Sequence, residues 1–351
     1  MTERRKKIAA NLCGAAWFVK TENIFYLTGY TGEGSLVLTK DRCVILTDSR
    51  YTEQASRQAQ DCECIMTGRE NPEKALLVQL LAECGEKECA FEADAVTVKT
   101  FEDYRAQMPG VHFVPLKGEV ESLRAVKDEG EIACIRKAAE ISCKAFEQLL
   151  SWVKVGMTEK QVQIRLDYEM LALGSDKNAF KTIAAAGANG SLPHAVPSDR
   201  AIQEGELLTL DFGAQYKGYK ADMTRTIGFG AVSDAHRAMY DAVLQAQLSA
   251  LAAIRPGVPC KEIDRIARDY LDGRYPGRFG HGLGHGVGLL IHEAPGLNTR
   301  DETLLTPSHV VTVEPGVYIP GFGGCRIEDM AIVTEDGFSN PITAPKHLII
   351  L

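Results

Sequence analysis

LLTLDFG at residues 207–213 and VVTVEPG at residues 310–316 share one pattern: two apolar residues, Thr, another apolar residue, an acid, any residue and Gly. In each copy a turn follows, and then a second acid. The resulting pairs are Asp211 with Asp222, and Glu314 with Glu328. Four carboxylates that converge on one site repel each other unless positive charge lies among them. Because two divalent cations would cancel the four negative charges, the duplicated pattern predicts a dinuclear metal site.

A second pair of segments repeats at nearly the same interval. KVGMTEKQV at residues 154–162 has the same shape as RPGVPCKEI at residues 255–263, and the two lie 101 residues apart, whereas Asp211 and Glu314 lie 103 apart. Two landmarks with similar displacement indicate two similar halves within residues 123–351. Each half offers helices followed by an antiparallel hairpin. We expect an α+β domain with pseudo-two-fold symmetry, in which the hairpins form a curved antiparallel sheet, helices cover its outside and the acids face inward.

The first third of the chain predicts a separate α/β domain. Short strand patterns alternate with helical ones: strands at 15–19, 35–39, 43–47 and 89–92, and helices at 51–60, 73–84 and 98–107. The basic start precedes a surface helix in this interpretation, and residues 20–23 lead into a further strand-like segment. We expect domains at residues 1–121 and 122–351.

Two capping patterns mark helices at the start of the second domain. Asp128-x-x-Glu131 precedes apolar residues at helical spacing up to about residue 152, and Thr158-x-x-Gln161 precedes another helix.

Composition excludes several classes of function. The net charge of −8, from 39 basic and 47 acidic residues, is the opposite of the basic bias of a nucleic-acid surface. No apolar run approaches the roughly 18 residues that a membrane span needs. The ten cysteines are irregularly spaced and include no CxxC pair. Their spacing predicts reduced, mostly buried thiols in a cytoplasmic protein. From the charge and the apolar runs we expect that the protein binds neither nucleic acid nor membrane.

A glycine-rich segment supplies candidate nitrogen ligands. GHGLGHGVG at residues 280–288 contains five strictly alternating glycines, which disfavour a helix. An extended strand would place His281 and His285 on one face and leave the bare face open to close approach by another backbone or a ligand. His292 needs a bend to reach the same site. We expect at least one of His281 and His285 to bind metal.

Taken together, these segments resemble the metallopeptidases of the pita-bread fold, which include aminopeptidase P, prolidase, methionine aminopeptidase and the metal-free creatinase. The resemblance covers essentially the whole chain, with a creatinase-like N-terminal domain. Its motifs are LDFG (210–213), YKADMTRT (219–226), GHGLGHGVG (280–288), IHE (291–293), VEPGVY (313–318) and RIED (326–329).

The resemblance implies a complete set of metal ligands. The family's five ligands correspond to Asp211, Asp222, His285, Glu314 and Glu328, of which Asp222 and Glu328 would bridge two ions. An oxygen-rich set with one imidazole suits manganese foremost, with cobalt or zinc as alternatives.

It also implies roles for residues around the ions. His194, His281 and His292 would hold the substrate and help proton transfer, and Arg326 would support the metal-bound carboxylates. Glu314 would additionally act as a general base. Asp329 follows Glu328 and should face the opposite side.

Three classes of function remain open. They are a peptidase that cuts Xaa-Pro bonds, another enzyme on the same scaffold (methionine aminopeptidase or creatinase), and a non-catalytic binding module. Five intact ligands argue against creatinase and the module, and the flank GGCRIED (323–329) resembles the Xaa-Pro group. We expect an aminopeptidase P-like enzyme acting on proline-containing peptides, with prolidase acting on Xaa-Pro dipeptides as the alternative. By the same resemblance we expect a homodimer.

Overall fold

The structure, a computed structural model, describes residues 2–12 and 14–351. The chain divides into two compact units, Met1–Arg124 and Ala125–Leu351. Within the described residues, none of the helices has the length and apolar character required to span a membrane.

The first unit contains a six-stranded mixed sheet with helices between its strands. Its strands are β1 (Ala15–Phe18), β2 (Ser35–Leu38), β3 (Cys43–Asp48), β4 (Glu63–Thr67), β5 (Glu88–Phe91) and β6 (His112–Pro115), in the order β4-β3-β2-β1-β5-β6. Its helices are α1 (Glu3–Asn11), α2 (Thr21–Thr28), α3 (Thr52–Gln58), α4 (Glu73–Cys84), α5 (Val98–Gln107) and α6 (Glu119–Ala125). The strand patterns at 15–19, 35–39, 43–47 and 89–92 all correspond to observed strands.

The prediction of a strand-like segment after residue 23 is wrong, because helix α2 occupies these residues. Ile24 and Tyr26 favour strands locally, but the buried residues of this segment, Asn23, Ile24, Tyr26 and Leu27, recur at helical spacing. The helix ends at Gly29, whose φ of 79° is the left-handed conformation that closes many helices. Strands β4 and β6 were not expected. They lie at the two edges of the sheet and are only partly buried, so their hydrophobic pattern is weak.

The first two α-helices of the second unit start where the capping patterns predict. The helices of this unit are α7 (Glu129–Leu150), α8 (Glu159–Ala172), α9 (Asp234–Leu251) and α10 (Cys260–Asp272). Both capping boxes are confirmed: the N–H of Glu131 donates to Asp128 Oδ1 at 2.9 Å, and the N–H of Gln161 donates to Thr158 Oγ1 at 3.1 Å. These reciprocal bonds satisfy backbone donors that the first helical turn would otherwise leave unpaired.

The strands of the second unit form two main sheets and two small ones. They are β7 (Lys177–Asn178), β8 (Ile183–Ala186), β9 (Leu207–Phe212), β10 (Ala214–Tyr216), β11 (Tyr219–Lys220), β12 (Met223–Gly228), β13 (Gly284–Gly286), β14 (Glu293–Leu297), β15 (Val310–Val313), β16 (Gly316–Ile319), β17 (Gly323–Arg326), β18 (Asp329–Val333) and β19 (Phe338–Ser339). The main sheets have the orders β12-β9-β8 and β14-β13-β15-β18-β19. The small ones are β11-β10-β7 and β16-β17.

Each repeated segment forms the first strand of an antiparallel pair. Strand β9 pairs with β12, with Asp211 opposite Thr224, and β15 pairs with β18. Hydrogen bonding divides the expected curved sheet into separate sheets, but the two hairpins meet where the N–H of Glu328 donates to the carbonyl of Thr224 at 3.1 Å. This junction brings the two halves of the repeat, and therefore their acids, together.

The expected strand over residues 280–288 is shorter than predicted. Only Gly284–Gly286 forms a strand, and its pairing with β14 shifts register between these two glycines. The close approach predicted for the glycine face is confirmed: a Cβ added to Gly284 would lie 2.0 Å from the carbonyl oxygen of Thr312. Glycine is therefore required for β13 to pack against β15, and this packing sets the position of His285.

Candidate metal centre

The four acids occupy equivalent places in the two halves. Asp211 lies near the end of β9 and Glu314 directly follows β15. Asp222 and Glu328 lie in the short breaks that precede β12 and β18. A break in a strand frees a residue from strict alternation, so its side chain can turn towards the neighbouring hairpin.

The side chains converge around His285. Ligand atoms of Asp222, His285 and Glu328 all lie within 4.8 Å of one another. The Nε2 atom of His285 lies 3.6 Å from Asp222 Oδ2 and 3.3 Å from Glu314 Oε1. Its Nδ1 atom lies 3.1 Å from the carbonyl oxygen of Gly286. Since a carbonyl only accepts, Nδ1 carries the proton and Nε2 is left as a metal donor.

Three unpartnered oxygens indicate that these residues fit divalent ions. Among the residues that the structure describes, one carboxylate oxygen each of Asp211, Asp222 and Glu328 is buried without a hydrogen-bond partner. Buried polar atoms are normally satisfied, and several orphaned acceptors at one point therefore call for a cation. Oxygen donors with one imidazole are a suitable donor set for such an ion.

The second oxygen of several carboxylates is held by the surrounding protein. Arg326 Nη2 donates to Asp211 Oδ2 at 2.6 Å, and Thr224 Oγ1 donates to Glu328 Oε2 at 2.8 Å. Thr312 Oγ1 donates to Glu314 Oε1 at 3.1 Å. Such contacts fix the orientation of a ligand and leave its other oxygen free. Arg326 thus lies where the resemblance implied. Thr312 belongs to the repeated pattern that was expected to share a face with Glu314, whereas Thr224 was assigned no role from the sequence.

The electrostatics of the protein alone also require positive charge here. Burial raises the pKa of Asp222 and Glu328 well above the ordinary carboxyl value, and neighbouring carboxylates raise it further. Burial also raises the pKa of Asp211. Burial acts in the same direction on Glu314, but in the protein without bound ions His285, His281 and Arg326 together outweigh burial and lower the pKa of Glu314. Four ionised carboxylates therefore need bound cations to coexist.

A cavity of about 980 Å³ opens beside these residues. Of the expected site residues it is lined by Asp211, Asp222, Glu314, Arg326, His194, His281, His285 and His292; Glu328 lies behind this surface. The rings of His285 and His292 meet edge to face with their centroids 4.2 Å apart. The bend needed to bring His292 to the site is therefore present.

Tyr318 is a site residue that sequence reasoning missed, although it lies within a quoted motif. Arg326 Nη1 donates to its hydroxyl at 2.8 Å, and the hydroxyl lies 2.9 Å from His281 Nε2. The Nδ1 atom of His281 lies 2.8 Å from the carbonyl of Gly282. The consistent assignment is that Nδ1 donates to this carbonyl and Tyr318 donates to Nε2. Both nitrogens of His281 are therefore engaged.

Residues kept out of the site lie elsewhere. Asp329 faces away from the acids and pairs with Arg225 at 2.8 Å and with Lys346 at 2.7 Å. Nine cysteines are free thiols, and the tenth, Cys13, lies outside the described residues.

Comparison with known proteins identifies both parts of the chain. A model of the Creatinase/Prolidase N-terminal domain matches residues 2–126, and a model of metallopeptidase family M24 matches residues 133–335.

Several similar proteins have been named for activity on Xaa-Pro substrates. A Xaa-Pro dipeptidase of Pyrococcus horikoshii is 33% identical over 356 residues, covering 99% of each chain. The structure of a Xaa-Pro dipeptidase from Bacillus anthracis is 39% identical, with a TM-score of 0.95 and coverage of 99% of this chain and 98% of that one. The structure of an X-Pro aminopeptidase from Thermotoga maritima is 33% identical, with a TM-score of 0.92 and coverage of 99% and 100%.

Proposed function

The chain belongs to metallopeptidase family M24 with a creatinase-type N-terminal domain, and from this premise we propose that it is a Xaa-Pro dipeptidase. It is a hydrolase of a family that uses divalent metal ions. The proposal takes the alternative in preference to the aminopeptidase P-like activity expected first, because the dipeptidases among its relatives support it better. The observation that carries it is the convergence of the two acid pairs on His285, with one buried oxygen left free on three of the acids.

Five side chains would hold two ions: Asp211, Asp222, His285, Glu314 and Glu328. Asp222 and Glu328 are the candidates for bridging, because both carry a free buried oxygen and lie within reach of His285. When bound, the ions lower the pKa of a coordinated water and polarise the scissile carbonyl. Manganese remains our first choice of metal, with cobalt or zinc as alternatives.

The histidines of the cavity divide into two groups by their hydrogen bonds. Both nitrogens of His281 are engaged by Gly282 and Tyr318, so we propose that His281 positions the cavity wall together with Arg326. His194 and His292 line the same cavity, and we assign substrate binding and stabilisation of developing charge to them. Burial, reinforced by the neighbouring His285, lowers the pKa of His292, so at neutral pH its imidazole is uncharged and can exchange a proton.

Glu314 is the candidate general base. Its lowered pKa keeps the carboxylate ionised at neutral pH, and its contacts with His285 and Thr312 hold it beside the other acids. An ionised carboxylate in this position can accept a proton from the attacking water and return it to the departing nitrogen.

We further propose that the enzyme is a cytoplasmic homodimer with domains close to 1–121 and 122–351. The nine free thiols are compatible with a reducing compartment. Light scattering of the purified protein measures the oligomeric state directly.

Substrate length separates the proposal from its alternative. With manganese added, we expect the protein to hydrolyse a Xaa-Pro dipeptide at least about tenfold faster, as kcat/KM, than a Xaa-Pro-Xaa tripeptide of the same first residue, a difference of about 1.4 kcal/mol. Chromatographic quantification of released proline and of the Pro-Xaa product measures both reactions. A preference for the tripeptide would return the assignment to aminopeptidase P, and cleavage of methionyl peptides without proline would contradict both.

Replacing His292 with Ala tests the role of the cavity histidines. We expect kcat to fall by about 10²-fold, the usual range for a group that assists proton transfer. Metal content should not change, because His292 lies outside the five-residue ligand set. Activity and metal content, measured on the same preparation by peptide assay and elemental analysis, give the two readouts. Loss of metal from H292A would instead make His292 a ligand. As a control, His112 is exposed and lies in the first unit, and H112A should retain full activity.

A further inference from the structure

Lys181 is a cation at the metal-site cavity that the proposed chemistry does not use. Its side chain is exposed, it lines the cavity, and within residues 2–12 and 14–351 it has no ion-pair partner. The other lysine of the lining, Lys160, donates to Gln163 Oε1 at 3.0 Å. The cavity arginine, Arg326, is buried and is bound to Asp211.

The local backbone directs Lys181 towards the acids. Thr182 Oγ1 donates to Asp167 of α8 at 2.5 Å, so the side chain of Thr182 points to the helix. Lys181 lies two positions before Ile183, the first residue of β8, and the alternation of the strand, extended back to Lys181, places both side chains on the opposite side. Ile183 pairs with Asp211 across strands β8 and β9. Lys181 thus lies on the face that carries Asp211.

The positive charge of Lys181 is accessible to a substrate, unlike the charge of Arg326. The four acids and two divalent ions would offset one another, which leaves the charge of Arg326. This side chain is buried, and its guanidinium is held by Asp211, Tyr318 and the carbonyl of Pro193. A substrate with a free carboxylate would consequently find the accessible positive charge of the cavity at the lysines of the lining. A substrate ammonium group would be repelled from the same place.

We propose that Lys181 is a specificity-determining residue that receives the free α-carboxylate of the Xaa-Pro substrate. This rests on the proposed dipeptidase function and adds to it the group that recognises the end of a dipeptide. Lys181 lies two positions before Ile183, a distance of about 6.6 Å in an extended chain. The terminal carboxylate of a dipeptide lies one residue beyond the scissile bond, and consecutive Cα atoms are about 3.8 Å apart. A third residue would replace the negative charge with a neutral amide and extend past the lysine.

The experiment compares one Xaa-Pro dipeptide with its C-terminal amide, in the manganese-loaded, full-length protein. The two substrates differ only in the charge that Lys181 would bind. For Lys181→Met we expect the ratio of kcat/KM for acid over amide to fall about fivefold, carried by KM of the acid, since exposed ion pairs contribute modestly. Lys181→Arg should restore most of the ratio, and Lys181→Glu should lower it further.

Lys177→Met is the matched control. Lys177 is also exposed and lies four residues away, outside the cavity lining, so its replacement should leave the acid-to-amide ratio unchanged.

The outcomes separate the two proposals. An unchanged ratio in folded K181M, or a fall that appears in K160M instead, would overturn the role of Lys181 while the dipeptidase function stands. Failure of the loaded wild-type protein to cleave either substrate would overturn the proposed function itself. Circular dichroism of each variant shows that it is folded before kinetics are compared.

Discussion

Asp222→Asn and Glu328→Gln are each expected to abolish peptidase activity, by at least about 10³-fold in kcat/KM, in a protein that remains folded. Each substitution removes one negative charge and one oxygen donor from a position proposed to bridge two ions. Elemental analysis of the reconstituted variants should show that at least one of two ions is lost.

The thermal stability of these variants provides a more specific test of the bridging roles than their activity does. Burial raises the pKa of Asp222 and Glu328 above the ordinary carboxyl value. A group whose pKa is raised on folding opposes folding once the pH exceeds its value in the unfolded chain, because ionisation is easier there. At pH 7 and without metal, the neutral replacements should therefore melt no lower than the wild-type protein. With metal, only the wild type should gain stability from ion binding.

Glu335→Gln supplies the control, since Glu335 is exposed and lies in the same half as Glu328. It should retain activity, metal content and melting temperature. Full activity in either Asp222→Asn or Glu328→Gln would refute the bridging roles, and a large drop in the melting temperature of the metal-free variants would make these acids structural instead.

The second large effect concerns stability alone. Asp329→Ala is expected to lower the free energy of unfolding by about 3–5 kcal/mol, because it leaves a buried positive charge unpaired. The side chains of Asp329 and Arg225 are 0% and 1% exposed and lie 2.8 Å apart. Asp329 also accepts from Gln247 Nε2 at 3.1 Å and pairs with Lys346. Urea denaturation in the presence of a chelator measures the change without a contribution from bound ions.

The pH dependence of this pair has a definite sign. Burial alone would raise the pKa of Asp329, but the charges of Arg225 and Lys346 dominate and lower it. A carboxyl whose pKa is lowered on folding stabilises the protein above its unfolded value, near 4, and this stabilisation is lost as pH falls through the folded value. The difference between wild type and D329A should therefore shrink on acidification below about pH 4.

An exposed ion pair provides the contrast. Arg265 and Asp269 lie 3.2 Å apart with side chains 61% and 66% exposed. Asp269→Ala should cost less than about 1 kcal/mol. Equal losses of unfolding free energy in D329A and D269A would show that the buried pair contributes no more to stability than the exposed pair.

Local sequence predicted the parts of this molecule that depend on local chemistry. The capping boxes at Asp128 and Thr158 and the repeated acid segments are short patterns whose physical meaning does not need the rest of the fold. The fold class and the family are confirmed. The segment after residue 23 was expected to be strand-like and forms a helix, because burial at helical spacing outweighed the β propensity of its residues.

Local sequence patterns could not predict the contacts between distant segments. Tyr318 joins Arg326 to His281, and Thr224 supports Glu328 across 104 residues of sequence, yet neither has a local signature. Substrate length depends in the same way on side chains around the open end of the cavity. This is why the spacing of the ligands identified metal chemistry without deciding between aminopeptidase P and dipeptidase.

The division of the acids between two hairpins has a consequence for fragments of this protein. Residues 125–228 carry Asp211 and Asp222, and residues 234–351 carry Glu314, Glu328 and His285. A polypeptide cut between β12 and α9 would hold an incomplete coordination sphere on either piece. Co-expression of the two pieces should therefore regain catalysis only through complementation, which would make turnover a reporter of correct docking between the duplicated halves.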